Sequence, residues 1–405
     1  MATFSARAAD ESVSRLSQDA ACARALAWID RNTSWVTEQQ IALTQVPAPE
    51  LGESQRADAL KSIFCKIGLQ PRIDETGNVI AEHVGMRTDR IVLIAAHLDT
   101  VFPPGTDVRV RREGKRLLAP GISDNGAGLG ALTGLARAFS ESSVRTEGTV
   151  IFAGDVGEEG EGNLRGIREL VKAYGSRLAA VIALDGPSTG HVTIQGIASR
   201  RFEIRITGPG GHSWSDFGAP NPIAALARGM TQLTSIRLSD QPRSSYNFGL
   251  VEGGNSVNSI PSEASLKVDL RSETEGELNR LENAMRSAMQ SGIAAENSSS
   301  RSGTESLQLK IASLGSRPAG KLPEDSQLLQ TIRDVDRFLG NSARLESSST
   351  DANLPLAMNI PAVALGGGGK GGGAHTLAEW YDPSGRELGL KRLFLIAAAF
   401  AGLQH

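Results

Sequence analysis

Between Arg90 and Asp99 the chain reads Ile91-Val-Leu-Ile-Ala-Ala-His97-Leu-Asp99, six consecutive apolar residues running into a histidine and a carboxylate. The run shows no polar alternation, so it predicts a central strand covered on both faces, the kind found in parallel sheets flanked by helices. Side chains alternate along an extended chain, so His97 and Asp99 point the same way. Ligands of open α/β sheets bind beyond the carboxyl ends of the strands, where this pair falls. An imidazole can bind a metal through one nitrogen while a carboxylate fixes the other. The same two residues would serve equally well as a hydrogen-bonded pair capping a strand.

The flanking sequence repeats the pattern. Thr149-Val-Ile-Phe-Ala and Ala179-Ala-Val-Ile-Ala-Leu predict further buried strands, with a helix over Leu164 to Tyr174 between them. Asn78-Val-Ile-Ala-Glu predicts a shorter strand. Helical spacing covers Ala21 to Ile29, Val36 to Leu43 and Ala127 to Phe139. Another helix is expected from Ser54, read as its N-cap, to Ile67, with Gly68 ending it. Strands alternating with helices argue for the α/β class with a mainly parallel sheet.

The pattern changes near Gly196. Arg201-Phe-Glu-Ile-Arg-Ile-Thr alternates, which predicts a half-exposed antiparallel strand. Asn221-Pro222 opens a helix to about Leu238, followed by strands over Tyr246 to Val251 and Ala264 to Leu270. A helix over Glu277 to Gln290, a Ser-rich loop from Asn297 to Ser306 and a strand over Leu307 to Ile311 complete a βαββαβ order, which suits a small split α/β sandwich. After Arg317 the first pattern returns. A helix covers Asp325 to Leu339, and the strand Pro361 to Leu365 enters the glycine-rich segment Gly366 to Gly373 ahead of His375. A last helix is expected from Arg386 to about Leu403. The expected organisation is one α/β domain in two segments, 1–196 and 317–405, interrupted by a smaller domain over 197–316.

Composition narrows the partners. At 40% hydrophobic and 21% charged residues, with a net charge of -3, the chain lacks the basic footprint of a nucleic-acid or anionic-membrane binder. Cys22 and Cys65 are too few and too distant for a disulfide framework or a cysteine zinc site. The apolar segment Leu393 to Leu403 is too short to span a bilayer. Asp10, Glu11 and Asp19 break up any leader-like run before Asp30, so a cytoplasmic location is expected, although an exported chain with its leader removed would read the same.

Three more places repeat the logic of the opening run. Gly121-Ile-Ser-Asp124-Asn-Gly-Ala-Gly sets a carboxylate in a glycine loop before a helix. The strand at Thr149 leads into Gly154-Asp-Val-Gly-Glu158-Glu159-Gly, and the strand at Ala179 ends on Asp185. His375 follows the last strand through its glycines. Each acidic residue alone reads as a turn or helix cap. Two histidines and several carboxylates at one sheet edge make an implausibly dense set of caps.

In their order along the chain, H-L-D-T-V, the Asp124 loop, G-E-E-G, Asp185, G-G-H-S and A-H-T-L-A-E resemble the M20-type co-catalytic zinc metallopeptidases, and the likeness covers nearly the whole chain. That family includes glutamate carboxypeptidase, tripeptide aminopeptidase and succinyl-diaminopimelate desuccinylase. The resemblance implies a zinc-hydrolase catalytic domain with an inserted ferredoxin-like domain that serves as lid and dimerisation surface, hence a homodimer. It implies that His97 and Asp185 bind one zinc ion, that Glu159 and His375 bind the other, and that Asp124 bridges them. Asp99 would then orient His97, and Glu158 would be the general base toward a water between the ions. In the insert, His212 would stabilise the oxyanion in the neighbouring subunit's site, and Arg271 with Asn258 would hold a substrate carboxylate. Three carboxylate ligands and a hydroxide would balance two Zn²⁺, and cobalt or manganese would also suit these donors.

The Asp124-Asn-Gly-Ala-Gly loop departs from the family's pattern in lacking the basic residue that often follows. Ser349-Thr-Asp351-Ala-Asn resembles a further family loop, without a role for Asp351. The expected activity is hydrolysis of short peptides, with N-acyl amino acids as the competing substrate class. Gly126-Ala-Gly-Leu-Gly-Ala matches a dinucleotide-binding fingerprint, but no good strand precedes it and no acidic residue ends a strand at the right distance. A non-catalytic binding module would be expected to have lost a ligand or Glu158, and all are present.

Overall fold

The computed structural model describes residues 13–301 and 303–404; residues 1–12, on which part of the leader reading rests, and one position of the Ser-rich stretch lie outside them. The chain divides into two compact units, Met1–Gly196 with Gly320–His405, and Ile197–Ala319.

The first unit is built on a nine-stranded sheet. Its strands include β1 (Arg72–Ile73), β2 (Val79–His83) and β3 (Arg87–His97). After the short pair β4 (Arg111–Glu113) and β5 (Arg116–Leu118) come β6 (Gly148–Asp155), β7 (Leu178–Leu184) and β8 (His191–Gly196). At its centre β6, β3 and β7 run parallel, with His97 opposite Asp155 and Ala95 opposite Ala183. The apolar run of β3 is buried from Ile91 onward, as are all eight residues of β6. Each large aliphatic side chain taken out of water there stabilises the fold by about 1.5–3 kcal/mol.

Helices α1 (Ala20–Thr44), α2 (Ser54–Lys66), α3 (Gly126–Ser142) and α4 (Arg165–Tyr174) follow the expected spacing with two differences. The segments over 21–29 and 36–43 join into α1, which bends at Asn32 (φ -123°). Glu53 stands at the N-cap position of α2 without a side-chain capping bond, and Ser54 is already inside the helix. Helix α3 packs closely on α1 because Gly134 lacks a side chain; a Cβ there would come within 2.9 Å of Val36 Cγ2.

The second unit carries β9 (Ala198–Thr207), β10 (Gly211–His212), α5 (Pro222–Thr234), β11 (Ser244–Gly253), β12 (Ser259–Ile260), β13 (Glu263–Ser272), α6 (Glu275–Ser299) and β14 (Gln308–Arg317). Four strands form an antiparallel sheet in the order β11-β13-β9-β14, and Phe202, Ile204 and Ile206 of β9 are buried with Leu226, Leu281 and Met285 of the helices. Asn221 caps α5 by accepting from the Ile223 and Ala224 amides. Helix α6 outruns its expected end at Gln290, so Asn297 to Ser299 belong to the helix and not to a loop. A small pair, β10 with β12, was not foreseen from the sequence.

The first unit resumes with β15 (Gly320–Lys321), α7 (Gln327–Leu339), β16 (Arg344–Ser348), α8 (Asn353–Ala357), β17 (Ala362–Leu365), β18 (Lys370–Gly372), β19 (Trp380–Asp382) and α9 (Arg386–Ala401). Strand β17 extends the parallel core beside β7. A separate four-stranded sheet, β18-β19-β5-β4, ties residues after His375 to residues ahead of Asp124. Among the described residues no helix is long and apolar enough to cross a membrane.

Candidate metal centre

Four strands of the parallel core end at one edge, and their ends and the loops leaving them carry the site together with the loop between β5 and α3. His97 is the last residue of β3. Its Nε2 lies 3.2 Å from Asp124 Oδ1, and its Nδ1 faces the Asp99 carbonyl oxygen at 3.1 Å. His375 Nε2 is 3.1 Å from both Asp124 Oδ2 and Glu159 Oε1. One ligand atom each from His97, Asp124 and Glu159 fit within 4.8 Å of one another. Asp124 thus reaches both histidines, one with each oxygen. Its buried Oδ1 has no hydrogen-bond partner despite the nearby imidazole, the geometry of atoms aimed at a common third point.

Asp185 follows β7 and joins this group through its charge. Burial and the neighbouring carboxylates of Asp124 and Glu159 push its pKa up to about 7, against the pull of both histidines. Hydrogen bonds to Asp124 and Glu159 raise His375 to about 10. Burial opposes a charge on His97, yet Asp124 and Asp99 beside it hold its pKa well above that of a free imidazole. Burial likewise opposes ionisation of Asp124, and the two histidines overcome it. Imidazole and carboxylate donors in this arrangement fit zinc, cobalt or manganese, which would take over the positive charge that protons supply here.

The carboxylate of Asp99 does more than face His97, from which its Oδ1 stands at 3.7 Å. Oδ1 accepts from the Gly157 and Glu158 amides, both at 3.1 Å, and Oδ2 from the Glu159 amide at 2.7 Å. It therefore sets the turn that presents Glu158 and Glu159. Gly157 adopts φ +72°, a conformation that side-chain-bearing residues rarely take. Glu158 is buried and close enough for its charge to act on His97.

Three positioning residues escaped the sequence reading. Glu379 accepts from the amides of Gly121 (2.8 Å), Ser123 (2.7 Å) and Asp124 (2.7 Å), fixing the loop that carries the bridging candidate. Asn125 caps α3 through Gly128, donates to Leu184 O at 2.7 Å and accepts from the Gly186 amide, which ties that loop to the end of β7. Arg56 is fully buried and donates to Leu98 O at 2.7 Å, between His97 and Asp99. Glu379 lies inside the quoted A-H-T-L-A-E stretch, so its neighbourhood was visible and its partners were not.

The remaining candidates belong to the second unit. His212 lies on β10, exposed, with Nδ1 accepting from the Trp214 and Ser215 amides at 3.2 and 3.3 Å. Those bonds place its ring proton on Nε2, as a donor. Asn258, just ahead of β12, is drawn to the same strand pair, its carbonyl accepting from the Ser213 amide at 3.0 Å. Arg271, on β13, is half-exposed and holds Asp269 at 2.6 Å.

A mixed α/β fold with carboxylates and histidines gathered at the ends of parallel strands defines a class of metal-dependent hydrolases. The chain belongs to one family of that class, peptidase family M20/M25/M40, whose sequence profile matches residues 93–399. It is 25% identical over 338 residues to a putative succinyl-diaminopimelate desuccinylase of Mycobacterium tuberculosis, covering 82% of this chain and 89% of that one. Its fold matches a tripeptidase from Staphylococcus aureus with a TM-score of 0.74 at 19% identity, over 91% of this chain and 99% of the other. A dinuclear metal-binding peptidase from Bacillus subtilis aligns with a TM-score of 0.67 at 17% identity, covering 91% and 98%.

Proposed function

We propose that this chain hydrolyses amide bonds of short peptides with two zinc ions, His97 and Asp185 holding one, Glu159 and His375 the other, and Asp124 both. The observation that carries this reading is the convergence of His97, Asp124, Glu159 and His375 beside a buried glutamate, Glu158, that has no place among the ligands. When bound, such ions polarise a carbonyl and make water acidic at neutral pH. Glu158 takes the proton from the attacking water and delivers it to the leaving nitrogen. Asp99 fixes the turn on which Glu158 sits, and Glu379 fixes the loop of Asp124. His212, whose Nε2 is a donor, supplies a hydrogen bond to the developing oxyanion in the site of a second subunit. Arg271 and Asn258 hold a substrate carboxylate in the same assembly, a cytoplasmic homodimer joined through the inserted unit.

N-acyl amino acids are the second substrate class, favoured by the similarity to a desuccinylase over most of the chain. Incubating the zinc-loaded protein with di- and tripeptides beside N-acetyl and N-succinyl amino acids separates the two readings. Turnover of peptides is expected; turnover confined to acyl derivatives would transfer the assignment to an amidohydrolase. Glu158→Gln should keep both metals, measured by elemental analysis, and lose a factor of about 10²–10⁴ in turnover. Full activity in that variant would remove Glu158 as the acid/base.

A further inference from the structure

A cleft of about 790 Å³ is lined by Asp107, Arg109, Arg111, Leu118, Pro120 and Leu377 among others. Its volume lies within the roughly 300–1,000 Å³ typical of small-molecule sites. Pro120 precedes Asp124 by four positions and Leu377 follows His375 by two, so the walls continue directly into two ligand-bearing loops. The bonds from the Gly121 and Asp124 amides to Glu379 lock those loops together.

The cleft is basic. From Asp107 to Arg116 the chain carries Arg109, Arg111, Arg112, Lys115 and Arg116 against Asp107 and Glu113. Most of these cations are engaged. Arg112 pairs with Glu38 at 2.6 Å, and Arg116 stacks on Trp380 at 4.2 Å. Arg109 grips Asp107 at 2.6 Å, but both are exposed, and exposed ion pairs hold by only about 0–1 kcal/mol. Arg111 makes no direct ion pair among the described residues, and its charge acts on Asp107. Two exposed guanidinium groups, one tethered to Asp107 and the other acting on it only through its charge, therefore line a cleft completed by Thr106 and by apolar Leu118, Ala119, Pro120 and Leu377.

We propose that this cleft is an anion subsite. Arg111, helped by Arg109, receives a carboxylate of the substrate other than the one assigned to Arg271. The preferred substrates are then acidic peptides or dicarboxylic-acyl amino acids. A guanidinium fork suits a carboxylate in two-point contact, and Leu118, Pro120 and Leu377 accommodate the methylenes that carry it. Asp107 acts as an internal competitor for Arg109. The proposal deepens the hydrolase reading and rests on it for the word substrate.

The test uses matched pairs on the zinc-loaded protein, an N-succinyl against an N-butanoyl amino acid and an Asp- against an Asn-containing dipeptide. The acidic member of each pair should show at least about a tenfold higher kcat/KM, carried by KM. Arg111→Ala should reduce that preference about tenfold, Arg111→Lys should restore part of it, and Asp107→Asn should enlarge it. Separately, calorimetric titration of succinate into dialysed, metal-free protein should show binding that weakens in Arg111→Ala and with added salt. Equal kinetics within each pair, or succinate affinity unchanged by Arg111→Ala, would overturn the subsite. If no amide is turned over, the hydrolase reading fails, while the succinate titration still decides the cleft.

Discussion

At the scale of single residues, several carboxylates around the site serve by holding backbone amides. Glu379 is the clearest, because its three amide donors lie 255 to 258 positions away in sequence, which no local pattern reveals. Glu379→Ala would strand three N–H groups at about 1–3 kcal/mol each if they stay dry. The expected result is a markedly lower zinc affinity by competition with a chelating dye, with a smaller loss in Glu379→Gln. The metal-ligand candidates themselves were legible, since each follows a recognisable strand or glycine loop. Asp155 and Asp351 were not. They meet in full burial, which pushes Asp155 up to about 6 and Asp351 well above its usual range, Asp351 further by the charges of Asp155 and Glu158. Unfolded carboxylates titrate near about 4. The folded state therefore binds more protons above that pH, and this share of stability, complete below it, is lost as pH rises through 6 and beyond. Replacing Asp351 by Asn should flatten the fall in the urea midpoint of metal-free protein between about pH 5 and 8. An unchanged slope would mean that burial does not hold a proton on this pair.

At the scale of elements, legibility followed the strength of the periodic signal. The strands β3, β6 and β7 are uninterrupted apolar runs, and the structure places them side by side as the parallel core. Strands β4, β5, β18 and β19 hold three residues each, and β5 pairs with a partner more than two hundred and fifty positions later, so neither length nor pattern announced them. Helix α6 continued through Asn297 to Ser299 because serine breaks helices far less than glycine or proline does. The turn after β6 is the element on which chemistry depends most. Gly157→Ala forces a side chain into φ +72°, at a cost of about 1–2 kcal/mol, and moves the amides that Asp99 holds. Gly114 has a similar φ of +60° and nothing within 4 Å of an added Cβ. Gly157→Ala should lower unfolding stability more than Gly114→Ala, because its added Cβ also meets the Arg165 side chain, and only Gly157→Ala should weaken metal binding. A Gly157→Ala protein with full metal affinity would show that the turn tolerates displacement.

At the scale of the molecule, the candidate centre is a junction. His97, at the end of β3, and Asp124, Glu159, Asp185 and His375, on four loops, all belong to one compact unit and none to the inserted one. Ions bound there would tie the whole edge of the parallel sheet, so metal binding should act as folding free energy for that unit. At a hundredfold excess over its dissociation constant, a single ion adds about 2.7 kcal/mol. Hydrogen exchange should accordingly slow at the ends of β3, β6 and β7 when zinc is restored to chelated protein, and remain unchanged in β9 and β13. Binding also has a proton signature. His375 with a pKa of about 10, and His97 raised above the ordinary range, carry protons at pH 7 that a metal must displace. Asp185, at about 7, is half-protonated there. Affinity should therefore rise with pH across the neutral range, and calorimetry in buffers of different ionisation enthalpy should count more than one proton released per site filled. Zinc binding that releases none, or that protects β9 and β13 as much as β3, would mean that the ions bind elsewhere than on these five side chains.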